Sequence, residues 1–279
     1  MPRPPDLSPP TNHWEKHAHA WQHFGSPLRP CSEDVQWMER TLSELVPLHQ
    51  RGILMGVTPE LAHMTWPSGT RLVAVDQCAD MIRQQWQPNP PVGAQVLNAD
   101  WERMPLADSS IDCIVGDGVL GLFSFPHGMQ RLMQEIHRLL RRDGRWLMRV
   151  FIRPDRPESP EQVHDALAAG EIGSFHAYKW RLAMALHPSL LEGVRPATVW
   201  QTWQTQGPDP MALAAATGWP AAQIATIDSY REAQATYYFP TLDELQQTLA
   251  THFDLLDLHL PRYELGERCP LLALRPRHP

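Results

Sequence analysis

The stretch Val96-Leu97-Asn98-Ala99-Asp100-Trp101, followed by Met104-Pro105-Leu106 and then Asp108-Ser109-Ser110-Ile111-Asp112, decides how this chain is read. It sets a short apolar run, a carboxylate, a turn and the start of a second apolar run in quick succession. Short apolar runs bounded by turn residues mark strands buried on both faces, because such strands lack the polar alternation of a half-exposed sheet. Outward from it, residues 52–57, 71–75, 95–98, 111–115 and 145–152 read as five such strands. Between them, residues 59–64, 79–86 and 129–141 read as helical segments. The last places Leu132, Met133, Ile136, Leu139 and Leu140 on one side before Asp143-Gly144 ends it. Pro88 is the expected stop of the 79–86 helix. Strands alternating with helices predict a parallel sheet with right-handed crossovers, and ligands of such sheets bind at the carboxyl ends of the strands.

The flanks differ. Residues 1–11 are Pro-rich and expected to be disordered. Asn12 is placed to cap a helix over 13–24 that Gly25 ends, with Trp14, Ala18 and Trp21 on one face. Ser32, with Glu33 and Asp34 in the first turn, opens a second helix to about residue 46. Residues 12–48 thus read as an N-terminal helical lid. Residues 154–239 break the alternation, with helical stretches near 161–169, 175–186, 197–204 and 210–216, and read as an inserted helical cap on the substrate side. Thr241-Leu242-Asp243-Glu244 is a capping box for a further helix, and 255–260 and 271–274 read as two closing strands. Residues 49–153 and 240–279 form the core in this division.

Composition excludes several classes. The 279 residues include 28 Pro and 16 Gly with no Gly period, so the chain is not collagen-like. With 43% hydrophobic residues and 11 Trp, it has the material for a core. A net charge of −7 argues against a phosphate-tracking surface. Residues 213–224 resemble a helix-turn-helix, yet 221–233 hold one Arg and no Lys, too few donors for base and phosphate contacts. The reading is therefore no nucleic acid and no membrane, since no apolar run suffices for a span. The four cysteines, Cys31, Cys78, Cys113 and Cys269, are isolated and read as reduced thiols of a cytoplasmic protein.

The opening stretch, together with Glu135-Ile136-His137-Arg138-Leu139-Leu140 running on to Gly144-Arg145-Trp146-Leu147, resembles two motifs of the class I S-adenosylmethionine-dependent methyltransferases. The resemblance spans roughly 50–152 and 241–276. It implies an α/β fold with a Rossmann-like, doubly wound, mostly parallel sheet of seven strands, the last antiparallel. It also implies S-adenosylmethionine as cofactor and methyl transfer to a small-molecule or peptide-like acceptor, by a monomer or homodimer.

The resemblance implies cofactor-binding residues at the strand ends: Gly56 and Thr58 after the first strand, Asp76 and Gln77 after the second, Asp100 and Trp101 after the third, and Gly116 after the fourth. A carboxylate such as Asp76 can accept two ribose hydroxyls, although a plain helix cap is the alternative. The run Gly56-Val57-Thr58-Pro59-Glu60 departs from the Gly-rich loop of the family. This departure motivates a second reading, a non-catalytic relative acting as a partner or regulatory subunit. A nucleotide-dependent oxidoreductase lacks its G-x-G-x-x-G here.

Methyl transfer is an in-line displacement that needs placement above all, and a base only when the acceptor is protonated. Asp117, His127, His176 and Tyr178 are the candidates for that base, each with packing as its alternative. His13, His17, His19 and His23 contain two i, i+4 pairs but no H-E-x-x-H, so no metal is expected and a helix covering the pocket is preferred. Arg29 is expected to pair with Glu33.

Overall fold

A computed structural model describes residues 13–46, 50–87 and 89–278. The expected N-terminal tail, the Asn12 cap and the Pro88 stop lie outside the described residues. Seven strands form one sheet: β1 (Arg51–Met55), β2 (Arg71–Asp76), β3 (Gln95–Asn98), β4 (Ile111–Asp117), β5 (Leu140–Arg149), β6 (Phe253–His259) and β7 (Leu271–Pro276). Their order is β3-β2-β1-β4-β5-β7-β6. β1 to β5 pair in parallel, and β7 runs antiparallel to both β5 and β6.

The apolar runs sort by the two-residue period of a strand. Ile53, Met55, Val75, Ile114, Met148, Leu272 and Leu274 face one layer of helices, α5 (His127–Leu139) and α11 (Leu242–Leu249), through Leu132, Met133, Ile136, Leu245 and Leu249. Leu54, Ala74, Cys113, Val115, Leu147 and Ala273 face the other layer, where α2 (Ser32–Leu45) supplies Trp37, Met38 and Leu42 and α3 (Pro59–Ala62) supplies Leu61. Each Leu, Ile, Val or Met among them contributes roughly 1.5–3 kcal/mol when fully buried.

Chain order reverses beside β1, whose neighbours are β2 and β4. That reversal opens a crevice at the carboxyl ends of β1, β2 and β4. Between β5 and α11 lie α6 (Pro160–Ala168), α7 (Phe175–Ala185), α8 (Pro196–Gln206), α9 (Pro210–Thr217), α10 (Ala221–Ile224) and a 3-10 turn over Ala225–Tyr230. They share an apolar cluster built on Phe175, Tyr178, Trp203 and Tyr230. The N-terminal segment, α1 (His13–Ala20) and a 3-10 turn over Trp21–His23, lies across the crevice.

Local departures from the sequence expectations have physical causes. The helix expected over 129–141 ends at Leu139, because Leu140 takes an extended conformation and pairs with Ile111, starting β5 early across a bulge. The helix expected over 79–86 is α4 (Ala79–Met81) followed by a π-turn over Ile82–Trp86, which seats Trp86 in the core. Arg29 pairs with Glu60 rather than Glu33, whose carboxylate accepts the Arg262 backbone N–H and contacts His259. The four cysteines are free, and Cys78, Cys113 and Cys269 are buried.

Candidate functional site

The end of β1 sets the first wall. Gly56 turns the chain at φ +91° and donates its N–H to the Val75 carbonyl at 2.8 Å. A Cβ there would lie 3.8 Å from the Trp101 ring and 3.9 Å from both Asp76 Oδ2 and Thr58 Oγ1. Only glycine keeps that cradle open and takes that φ without strain. Thr58 caps α3 with its backbone, so its buried hydroxyl makes no cap hydrogen bond. Pro59 occupies the first helical position, where its missing N–H is not needed. One glycine and one proline therefore build a loop that the family builds with several glycines.

The end of β2 sets the second wall. Asp76 is buried, and its Oδ1 accepts the Cys78 N–H at 2.7 Å. Burial pushes its carboxyl up to about 6, against the pull of that hydrogen bond. Trp101 donates its indole N–H to the Val75 carbonyl at 2.5 Å, which fixes the ring across the strand ends. These residues and Gln77 line a cavity of about 140 Å³. An adjoining cleft of about 760 Å³ shares Trp14, Gln77, Trp101 and Leu122 with it and adds Asp100 and Phe123.

The floor is a buried ion-pair network. β4 and β5 place Asp117 and Arg149 side by side in register. The fully buried Arg149 donates Nε to Asp117 Oδ1 at 2.6 Å and Nη2 to Oδ2 at 3.1 Å. Its Nη1 reaches Asp34 Oδ2 and the Tyr263 hydroxyl, both at 3.2 Å, and Tyr263 donates to Asp34 Oδ1 at 3.0 Å. Burial, with Asp34 and Glu60 nearby, pushes the Asp117 carboxyl upward against Arg149. Such a network is worth little in net stability when complete, but losing one member leaves a naked buried charge.

The roof comes from the N-terminal segment. Trp14, His17, Trp21 and Phe24 line the cavity from above, and Arg29 ties the segment to α3 through a 2.5 Å contact with Glu60. His13 Nε2 lies 3.1 Å from the Tyr237 hydroxyl, and His176 Nε2 donates to the His23 carbonyl at 3.0 Å. Phe24 also covers the amine of Lys179, which lies 4.7 Å from its ring centre and donates to Thr226 Oγ1 at 2.8 Å. Burial holds this lysine well below its ordinary pKa.

The structure gathers Gly56, Thr58, Asp76, Gln77, Trp101 and Asp117 around one cavity and puts Asp100 in the adjoining cleft. Gly116 is a correction: it packs against Val119 and Met55, and Gly118 lines the cavity instead. The base candidates are corrected too. Asp117 has both oxygens occupied by Arg149. His127 is exposed at the start of α5, outside both cavities. His176 is buried against His23, and Tyr178 is buried in the cap cluster with its hydroxyl on His164. Sequence reasoning missed Arg149 and the role of Phe24, reached Gly118 only as part of the small-residue run 116–118, and weighed His17 only as a metal ligand or part of a covering helix. The strand register of Asp117 and Arg149 was the one signal that could have exposed the network. Among the described residues, no group of His, Cys, Asp or Glu is placed to hold a metal ion, and no helix is long and apolar enough to cross a membrane.

A family model described as a methyltransferase domain matches residues 55–148, from the end of β1 into β5. None of the curated proteins matches the chain. Among solved structures, the chain is similar to a candidate zinc-dependent alcohol dehydrogenase from Rhodobacter sphaeroides, with a TM-score of 0.56, 13% identity, and coverage of 96% of this chain and 99% of that one. It is similar to a chain of the Haloferax volcanii complex between the Trm112 methyltransferase activator and a candidate methyltransferase, with a TM-score of 0.55, 12% identity and coverage of 96% and 99%. It is also similar to the N-methyltransferase NodS from Bradyrhizobium japonicum, solved with S-adenosyl-L-homocysteine, with a TM-score of 0.54, 12% identity and coverage of 97% and 100%. At such identities these likenesses establish the fold alone.

Proposed function

We propose that this chain, which carries a methyltransferase domain on the class I fold, binds S-adenosylmethionine and passes its methyl group to a small-molecule or peptide-like acceptor beneath the helical cap. The observation that carries the reading is the convergence of Asp76 Oδ2, Thr58 Oγ1 and the Trp101 ring on the bare face of Gly56. That set fits the cofactor: a carboxylate for ribose hydroxyls, a hydroxyl for the methionine end and a flat ring for contact beside them. Gln77, Asp100 and Phe123 extend the same wall into the open cleft, where an adenine would lie.

The cofactor, when bound, supplies an activated methyl group on a sulfonium. The chain supplies placement and dryness. Trp14, Trp21 and Phe24 close the cavity against water, and Arg149 and Asp117 lock the ends of β4 and β5 so that its floor is rigid. Preorganised walls of this kind raise rates by holding reactants in line. In the described geometry, Asp117 contributes to shape rather than to proton transfer.

The direct test is isothermal titration of the full chain with S-adenosylhomocysteine, with thermal unfolding in parallel. Micromolar binding and a rise in Tm are expected. No heat and no stabilisation at millimolar ligand would overturn the reading.

A further inference from the structure

The acceptor side of the cavity, taken on the reading above that its other side holds the methyl donor, is walled by Trp21, Phe24, Phe151, Trp180, Tyr230 and Phe239. The polar groups there are of two kinds, engaged ones and two donors buried without a partner, the indole N–H groups of Trp21 and Trp180. Asp117 is held by Arg149, and the Tyr237 hydroxyl by His13. His17 is different. Its Nδ1 lies 2.9 Å from the His13 carbonyl oxygen, which can only accept. Nδ1 therefore carries the ring proton, and Nε2 carries a lone pair. Nε2 has no hydrogen-bond partner among the described residues. Phe24 stacks on the ring at 4.8 Å and 10°, and Tyr230 at 5.9 Å and 25°, so its plane is fixed.

We propose that the methyl acceptor is an uncharged aromatic molecule whose hydroxyl donates its hydrogen bond to Nε2 of His17. Six aromatic side chains wall this side of the cavity. The flat shape follows from its aromatic walls, which favour stacked and edge-to-face partners.

Two observations favour an uncharged acceptor over an alkylammonium. The same surroundings push the Lys179 amine well below its ordinary pKa by burial, although the rings of Phe24, Tyr230 and Phe175 stand 4.7, 5.0 and 5.9 Å away. An alkylammonium acceptor would meet the same desolvation. The His17 imidazole is also held neutral, its pKa lowered to about 3 by burial first and then by His13 and Lys179. In the reaction the S–CH3 bond breaks with its electron pair left on sulfur, and a C–O bond forms from an oxygen lone pair. The hydroxyl proton passes to Nε2 and then to water. An alkylated hydroxyl is a far stronger acid than even this imidazolium, so the weak base suffices. His17 is thus a specificity-determining residue that touches the acceptor.

The experiment uses the full chain saturated with S-adenosylhomocysteine and titrated with p-cresol, toluene and benzylamine by NMR. p-Cresol is expected to bind about tenfold more tightly than toluene, the effect of one good hydrogen bond, with benzylamine weaker than p-cresol. His17→Phe should bring p-cresol and toluene within about twofold of each other while leaving toluene affinity in place, and His17→Gln, which keeps an acceptor, should restore part of the gap. Unchanged S-adenosylhomocysteine affinity in both variants reports an intact fold. Equal binding of p-cresol and toluene to the parent chain, an undiminished gap in His17→Phe, or benzylamine binding as tightly as p-cresol overturns the proposal. If S-adenosylhomocysteine itself fails to bind the parent chain, the methyltransferase reading falls and this proposal falls with it; if it binds and the cresol gap is missing, only the role of His17 falls.

Discussion

Asp76→Asn separates two consequences of one carboxylate at the end of β2. Burial pushes that carboxyl up to about 6, so the folded chain binds the proton more tightly than the unfolded chain does. Stability therefore falls as pH rises from about 4 to about 6, by about 3 kcal/mol in all, and the loss persists at pH 7. Asparagine has nothing to ionise and can still accept the Cys78 N–H, so the variant without ligand should be more stable than the parent at pH 7 by up to that amount. Ligand affinity should move the other way. With the one amide oxygen held by the Cys78 N–H, the ribose hydroxyls meet an amide N–H2 that cannot accept, which costs about 1–3 kcal/mol, or roughly 5- to 150-fold in Kd. The parent should also lose affinity on acidification. A carboxyl titrating near 6 is roughly nine-tenths protonated at pH 5 and one-tenth at pH 7, so S-adenosylhomocysteine should bind about tenfold less tightly at pH 5. Titration calorimetry at the two pH values, with urea unfolding of both proteins, measures every limb. A parent affinity flat between pH 5 and 7, together with an unchanged Kd in the variant, would refute the assignment of Asp76 to the ribose.

Other perturbations follow from the same geometry. Arg149→Met leaves Asp117 and Asp34 buried without their cation and should destabilise the fold by about 3–5 kcal/mol in chemical denaturation; a loss below 1 kcal/mol contradicts the network. Gly118 sits at φ +66°, and a Cβ there would stand 2.7 Å from the Phe151 ring. Gly118→Ala should therefore cost about 1–3 kcal/mol in the same assay. Thr58→Val should weaken S-adenosylhomocysteine about 3- to 10-fold in titration calorimetry, the range for one neutral hydrogen bond, with little change in Tm.

Much of the architecture was legible because β1, β2 and β4 are buried on both faces and announce themselves as unbroken apolar runs. The place of Asp76 and Gly56 on the cavity wall was legible for a related reason: both stand at the carboxyl ends of parallel strands, where such a sheet opens its crevice. The floor was hidden because Arg149 lies inside the last apolar strand of the parallel run, where sequence offers no hint that a cation is sheltered. Its partner becomes visible only when β4 and β5 are placed in register. The base candidates failed for the opposite reason. His127, His176 and Tyr178 have suitable chemistry, but whether a histidine meets a cavity, solvent or another helix is set by tertiary packing. His17 was in view from the start, yet its tautomer depends on the His13 carbonyl and its stacking on Tyr230, far along the chain.

The roof of the site has a consequence for synthesis. Residues 13–29 leave the ribosome well before the cap residues they rest on, His176, Lys179, Tyr230 and Tyr237. At about 5–20 residues per second, that gap of roughly 200 residues takes on the order of 10–40 s to translate. Throughout that interval His17 and Phe24 lack Tyr230, His176 and Lys179, the cap residues they stack on or cover. The roof of the site is therefore completed only when the cap has been made, long after the roof segment itself.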